Sequence, residues 1–169
     1  MNQLKNRDLV TVYLHPGEIC VSREPKRVIT VLGSCVSLTM FSPRLKAGAI
    51  CHGTLPRCRS KKECRSLCIE AFKFMDCAIF YMLDTFAEFG VARNEIEFKV
   101  FGGADTLVSK SSNSIGRQNV KITLDILGRE KIGVKAADVG DSFGRKLIFF
   151  THTGEVYMKR LKSGNGNIR

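Results

Sequence analysis

Val28-Ile29-Thr30-Val31-Leu32-Gly33-Ser34-Cys35-Val36-Ser37-Leu38-Thr39-Met40-Phe41 is two apolar runs around one short turn. Runs of five or six residues rich in Val, Ile and Thr favour extended backbone, and Gly-Ser interrupts them. One strand therefore arrives at Leu32, another leaves from Val36, and the tight turn presents Cys35 near the edge of a sheet. Residues 10–14 and 47–52 read as further short strands, set off by His15-Pro16-Gly17, Pro25 and Ser42-Pro43.

Downstream the period changes. Cys64, Cys68, Phe72, Met75, Ile79, Met82 and Phe86 recur at steps of three or four. Leu67, Ala71, Phe74 and Ala78 widen that stripe, which predicts one long helix over 62–89 packed broadly on a sheet. Gly90 is its stop signal. In 95–101 the apolar residues Ile96, Phe98 and Val100 alternate with charged ones, as in a half-buried strand, and the run ends in Gly102-Gly103. Small polar residues at 109–114 form a loop before a second helix, from Gly116 or Asn119 to Glu130, with Val120, Leu124 and Leu127 on its apolar face. Residues 131–138, 146–151 and 155–161 complete the strands, with Thr153-Gly154 as a hairpin turn.

Strands, helix, strand, helix, strands in that order predict a layered α+β fold, a mixed β-sheet with two main helices and hairpins stacked against it. No repeat or linker divides the chain. Residues 1–162 read as a single catalytic domain, and 163–169 as a flexible C-terminal tail.

Composition excludes several classes. The amino terminus is too polar for a signal peptide, and no apolar run is long enough to span a bilayer, so the chain reads as cytoplasmic and not membrane-embedded. Seven cysteines, an odd number, argue against a disulfide framework and for reduced thiols. The net charge of +11 is spread along the chain, with one cluster at Arg57-Cys58-Arg59-Ser60-Lys61-Lys62. No helix-turn-helix, zinc-finger or aromatic-basic signature accompanies it, so no specific nucleic acid is expected as a partner. An acidic protein surface is a fitting counterpart for such a charge.

The chemistry starts from Cys35. A thiol is activated by a neighbouring base, and backbone N–H groups of the Gly33-Ser34 turn are placed to face an oxyanion. A small buried hydrophobe is the alternative, as for most cysteines. His52, at the end of its strand and before Gly53-Thr54-Leu55-Pro56, is the candidate base, brought to Cys35 if the two strands are neighbours. On spacing alone, a hydrogen-bonded surface histidine fits it equally. Cys58, Cys64 and Cys68 with Cys51 or His52 are the candidate metal ligands. Their spacing does not give paired knuckles, so no metal and no cofactor is expected.

Several stretches together resemble the CheD family of chemoreceptor glutamine deamidases of bacterial chemotaxis. They are Leu32-Gly33-Ser34-Cys35-Val36, Cys51-His52-Gly53-Thr54-Leu55-Pro56, Phe101-Gly102-Gly103-Ala104, Ile115-Gly116-Arg117-Gln118-Asn119-Val120, Asp138-Val139-Gly140-Asp141 and Gly144-Arg145-Lys146. The resemblance implies a fold similar to bacterial toxin glutamine deamidases and a protein-glutamine glutaminase activity. Its substrates would be glutamine side chains on chemoreceptor (methyl-accepting chemotaxis protein) cytoplasmic helices, its course a Cys thioester, and its products glutamate and ammonia. It implies Cys35 as nucleophile, His52 as base and a threonine as the third member. The family's threonine stands six residues before its cysteine, where this chain has Ile29. Thr30 is five before and, on a regular strand, would face away unless a bulge re-aims it. A CheC-type phosphatase is the further partner the resemblance implies. A non-catalytic chemotaxis binding module regulating that phosphatase is the alternative function.

Overall fold

The computed structural model describes residues 8–59, 71–105 and 113–161. Among them the chain forms β1 (Val10–Tyr13), β2 (Ile19–Ser22), β3 (Lys26–Leu32), β4 (Val36–Ser42), β5 (Ala47–Cys51), α1 (Met75–Glu88), β6 (Glu97–Gly102), α2 (Ile115–Arg129), β7 (Val134–Val139), β8 (Gly144–Phe150) and β9 (Val156–Leu161). The strands divide between two sheets, a four-stranded one ordered β1-β3-β8-β9 and a five-stranded one ordered β2-β5-β4-β6-β7. Each is mixed, since β1 runs parallel to β3 and β6 parallel to β7, while the remaining pairs are antiparallel.

Side-chain alternation turns this into three layers. From the five-stranded sheet, Val36, Leu38, Met40, Ala49 and Cys51 face the helices and pack with Met75, Ile79, Met82 and Phe86 of α1 and Ile122, Ile126 and Leu127 of α2. The opposite face meets the four-stranded sheet, where Ile50 packs with Val28 and Phe149, and Phe101 with Leu32 and Leu147. Being covered on both sides, β4 is buried along its whole length. That is why its sequence is so uniformly apolar or small. The expected layered α+β domain with two helices is present, with its strands split between two sheets.

Several elements differ from their sequence reading. α1 begins at Met75, not at residue 62, because Phe74 is extended (φ −92°, ψ 128°). The backbone there pairs with the loop after β5: the Leu55 N–H donates to the Lys73 carbonyl (2.9 Å) and the Met75 N–H to the Leu55 carbonyl (2.8 Å). Periodicity carries no trace of such a distant backbone pairing. Cys64, Leu67 and Cys68 of the predicted stripe lie outside the described residues, as do most of the predicted 109–114 loop and the tail at 163–169. Leu124, placed on the apolar face of α2, is 41% exposed. Leu127 is buried and Val120 packs against the core as expected, but the buried face runs through Gly116, Asn119, Ile122, Thr123, Ile126 and Leu127, two of them polar, which obscured the stripe. β2 was not anticipated; it pairs antiparallel with β5. Gly90 does end α1, at φ +72°.

Candidate active site

β3 belongs to one sheet and β4 to the other, so the Gly33-Ser34 turn carries the chain across the gap between them. Cys35 sits at this crossing and packs, half-buried, against the Leu32, Phe101 and Leu147 cluster between the sheets. Beyond the turn, β4 and β5 pair with Thr39 opposite Ile50. The same register continues to Val36 and Gly53, which exchange backbone hydrogen bonds of 3.0 and 2.9 Å. His52 is therefore opposite Ser37, two residues along from Cys35. Cys35 packs on the Leu32, Phe101 and Leu147 cluster and His52 meets Thr30 of β3, so both lie on the side turned toward the four-stranded sheet. Cys51 points the other way, into the helix layer.

His52 is only 2% exposed. Its backbone is tied to the segment before β2, donating to the Glu18 carbonyl (3.0 Å) and accepting from the Gly17 N–H (2.8 Å). Its Nδ1 lies 2.7 Å from the Thr30 hydroxyl. That hydroxyl has one proton, and it donates to the Leu14 carbonyl at 2.8 Å. Thr30 must then accept from His52, which places a proton on Nδ1 and leaves Nε2 unprotonated as the acceptor. The assignment follows from the hydrogen-bond network.

Thr30 thus faces His52, contrary to the alternation expected from its distance to Cys35. No bulge is needed. Alternation holds within one strand, but Thr30 lies on β3 and Cys35 heads β4 in another sheet, with a turn between them. Within β3 the pattern is regular: Val28, Thr30 and Leu32 are buried between the sheets.

Electrostatics favour a neutral pair. Burial lowers the His52 pKa; the Leu14 carbonyl and Glu18 push it up, and His15 pushes it down. Burial raises the Cys35 thiol, partly offset by its own backbone N–H. Both shifts favour the uncharged forms, a thiol and a neutral imidazole, over a thiolate and an imidazolium. Such a pair suits general-base catalysis, in which the proton leaves sulfur as sulfur attacks.

The loop after β6 braces the turn. Gly103 N–H donates to the Cys35 carbonyl (2.7 Å) and Ala104 N–H to the Gly33 carbonyl (2.9 Å). Gly102 and Gly103 have φ of +106° and +69°, and a Cβ on Gly102 would collide with the Cys35 carbonyl. These two glycines are there for backbone geometry. The Leu14 carbonyl and the Gly17–Glu18 backbone were missed in the sequence, where main-chain groups leave no signal.

The metal set fares differently. Cys51 and His52 face opposite sides of β5, and Cys64 and Cys68 lie outside the described residues. Among the described residues no three His, Cys, Asp or Glu side chains gather as a metal would require. No helix among them is long and apolar enough to cross a membrane.

Comparison with known proteins gives a consistent result. The profile of the family described as "CheD chemotactic sensory transduction" matches residues 55–160. A Geobacter sulfurreducens protein named "Probable chemoreceptor glutamine deamidase CheD 2" is 43% identical over 151 residues, 89% of each chain. A Maridesulfovibrio salexigens protein named "Probable chemoreceptor glutamine deamidase CheD" is 38% identical over 160 residues, 92% of this chain and 94% of its own. A Shewanella oneidensis protein, "Probable chemoreceptor glutamine deamidase CheD 1", is 35% identical over 90% of this chain and 73% of its own. Matches of this length include Thr30, Cys35 and His52 wherever they begin.

Proposed function

The chain belongs to the CheD family, and from that premise we propose that it is a chemoreceptor glutamine deamidase whose nucleophile is Cys35, whose base is His52 and whose orienting hydroxyl is Thr30. The observation that supports the residue assignment is the tautomer. With the Thr30 hydroxyl committed to Leu14, His52 carries its proton on Nδ1 and offers Nε2 on the face it shares with Cys35.

The reaction follows from these roles. Cys35 Sγ attacks the side-chain amide carbon of a glutamine while its proton passes to His52 Nε2. The carbonyl electrons collect on oxygen, then return as the C–N bond breaks, and the imidazolium gives its proton to the leaving nitrogen, releasing ammonia. The thioester is hydrolysed by water, which His52 deprotonates; the C–S bond breaks, glutamate leaves, and the thiol is restored. Burial of His52 keeps it neutral and ready to accept a proton at physiological pH.

The substrate surface is the cytoplasmic helices of chemoreceptors, which places the protein in the cytoplasm. Its +11 charge would steer it toward acidic helix faces. A CheC-type phosphatase is the further partner this reading carries. The non-catalytic alternative drew its weight from a displaced threonine, and Thr30 at 2.7 Å from His52 supports the catalytic reading instead. Mass spectrometry of a receptor cytoplasmic fragment tests the proposal. Wild type should add about one dalton per converted glutamine, the exchange of NH2 for OH in acyl transfer, and Cys35→Ala should add none. A fragment that binds wild type yet stays unconverted would reverse the conclusion.

A further inference from the structure

Asn119, on the first turns of α2, is completely buried. A buried amide needs partners, and its Nδ2 has two in an informative place: the Ser34 carbonyl at 3.1 Å and the Thr54 carbonyl at 3.0 Å. One carbonyl belongs to the peptide that ends at Cys35, the other to the loop two residues beyond His52. One side chain thus ties together the backbone on both sides of the candidate active site. Its Oδ1 is buried without a hydrogen-bond partner among the described residues. Leaving an acceptor in that state is unfavourable, so stability alone does not explain the residue.

The three carbonyls around the nucleophile are all held. Gly33 accepts from Ala104 N–H, Ser34 from Asn119 and Cys35 from Gly103 N–H. A trans peptide points its carbonyl and its N–H in opposite directions. Asn119 draws the Ser34 carbonyl toward the helix layer, so the N–H of the same peptide, that of Cys35, points away from the helices. That is the side on which the Cys35 thiol and His52 lie. Among the described residues no backbone carbonyl accepts this N–H. The result is a donor beside the attacking sulfur that no backbone carbonyl occupies, where an oxyanion forms.

We propose that Asn119 is a positioning residue that fixes the Ser34–Cys35 peptide so that the Cys35 N–H serves as an oxyanion donor. This rests on Cys35 being the nucleophile, but not on glutamine being the substrate. An aspartate in its place keeps the size and loses both donors, since an ionised carboxylate only accepts.

The experiment compares two reactions of Cys35 that differ in one respect. Acylation by p-nitrophenyl acetate forms a C–S bond, passes through an oxyanion and expels p-nitrophenolate. Alkylation by iodoacetamide forms a C–S bond at a saturated carbon, expels iodide and makes no oxyanion. In Asn119→Asp and Asn119→Ala, acylation should slow on the order of 100-fold, the scale of one lost oxyanion donor. Alkylation of Cys35, followed by mass spectrometry, should keep the wild-type rate. Asn119→Ser, which leaves one hydroxyl for two carbonyls, provides a milder variant if the others fail to fold, and should fall between them and wild type. Equal rates of acylation in folded variants, or a parallel fall in both reactions, would overturn the proposal. Cys35→Ala is the control: acylation that persists without Cys35 would refute both this inference and the nucleophile assignment. Intact acylation differences with no receptor deamidation would refute the substrate alone.

Discussion

The two faces of β4 and β5 are made from the same few residues and have opposite chemistry. Toward the helices point Val36, Leu38, Met40, Ala49 and Cys51, an apolar surface sealed by α1 and α2. Toward the other sheet point Cys35, Ser37, Thr39, Ile50 and His52, where hydroxyls, a thiol and an imidazole alternate with apolar packing. Cys35 and Cys51 show what the face alone does to one functional group. Cys51, fully enclosed, has its thiol pushed up to about 11 by burial. Cys35 is raised less completely, keeps its own N–H close by and shares its face with His52. One position of alternation separates an inert core thiol from a candidate nucleophile.

The sharpest way to break this contrast is to remove each thiol in turn. Cys35→Ala should abolish ammonia release from a receptor fragment while leaving the thermal transition nearly unchanged. If it stays active, the distinction between the faces has no chemical meaning. His52→Asn should lower kcat on the order of 100- to 10,000-fold, the range of a lost general base, in a deamidation assay with the same fragment. A near-normal rate would remove His52 from its role.

Thr30→Val tests how the imidazole is held. It leaves the Nδ1–H and the Leu14 carbonyl without their hydroxyl, a loss of about 1–3 kcal/mol, or roughly 5- to 150-fold in kcat if it falls on the transition state. The Michaelis constant should barely change, and a rise in it with kcat intact would make Thr30 a substrate contact instead.

A pH profile sharpens the neutral-pair description. The reactive form needs unprotonated His52, and burial lowers that pKa from about 6.5. Activity should therefore persist as pH falls through 6.5 and decline only below it. The Cys35 pKa is raised from 9.0, so no alkaline limb should appear at neutral pH. An acid limb centred above 6.5 would show that His52 acts as a stabilised imidazolium. The smallest effect belongs to Cys51→Ala, which should leave kcat unchanged and destabilise by about 1 kcal/mol, read from denaturant unfolding. A large loss of activity there would mean that the helix-side face reaches the chemistry.

Much of the molecule was legible because short-range rules govern it. Alternating and periodic apolar residues mark most strands and both helices, and Gly90 marks the end of α1. The neighbouring strands behind the candidate Cys35–His52 pair were accessible as a hairpin argument, since β4 and β5 are neighbours in sequence as well as in space. The start of α1 was not, because Phe74 is set by backbone bonds to Leu55. The buried stripe of α2 was obscured by Asn119, a polar residue kept for its partners rather than its hydropathy.

The sequence by itself determined most of the order of elements and singled out Cys35 and His52 as candidates, because local patterns and one tight turn suffice for those. The tertiary structure alone decided which way Thr30 faces and what Asn119 holds. Both depend on β3, β4 and α2 meeting from three different layers, and no alternation rule counted along the chain survives a change of sheet.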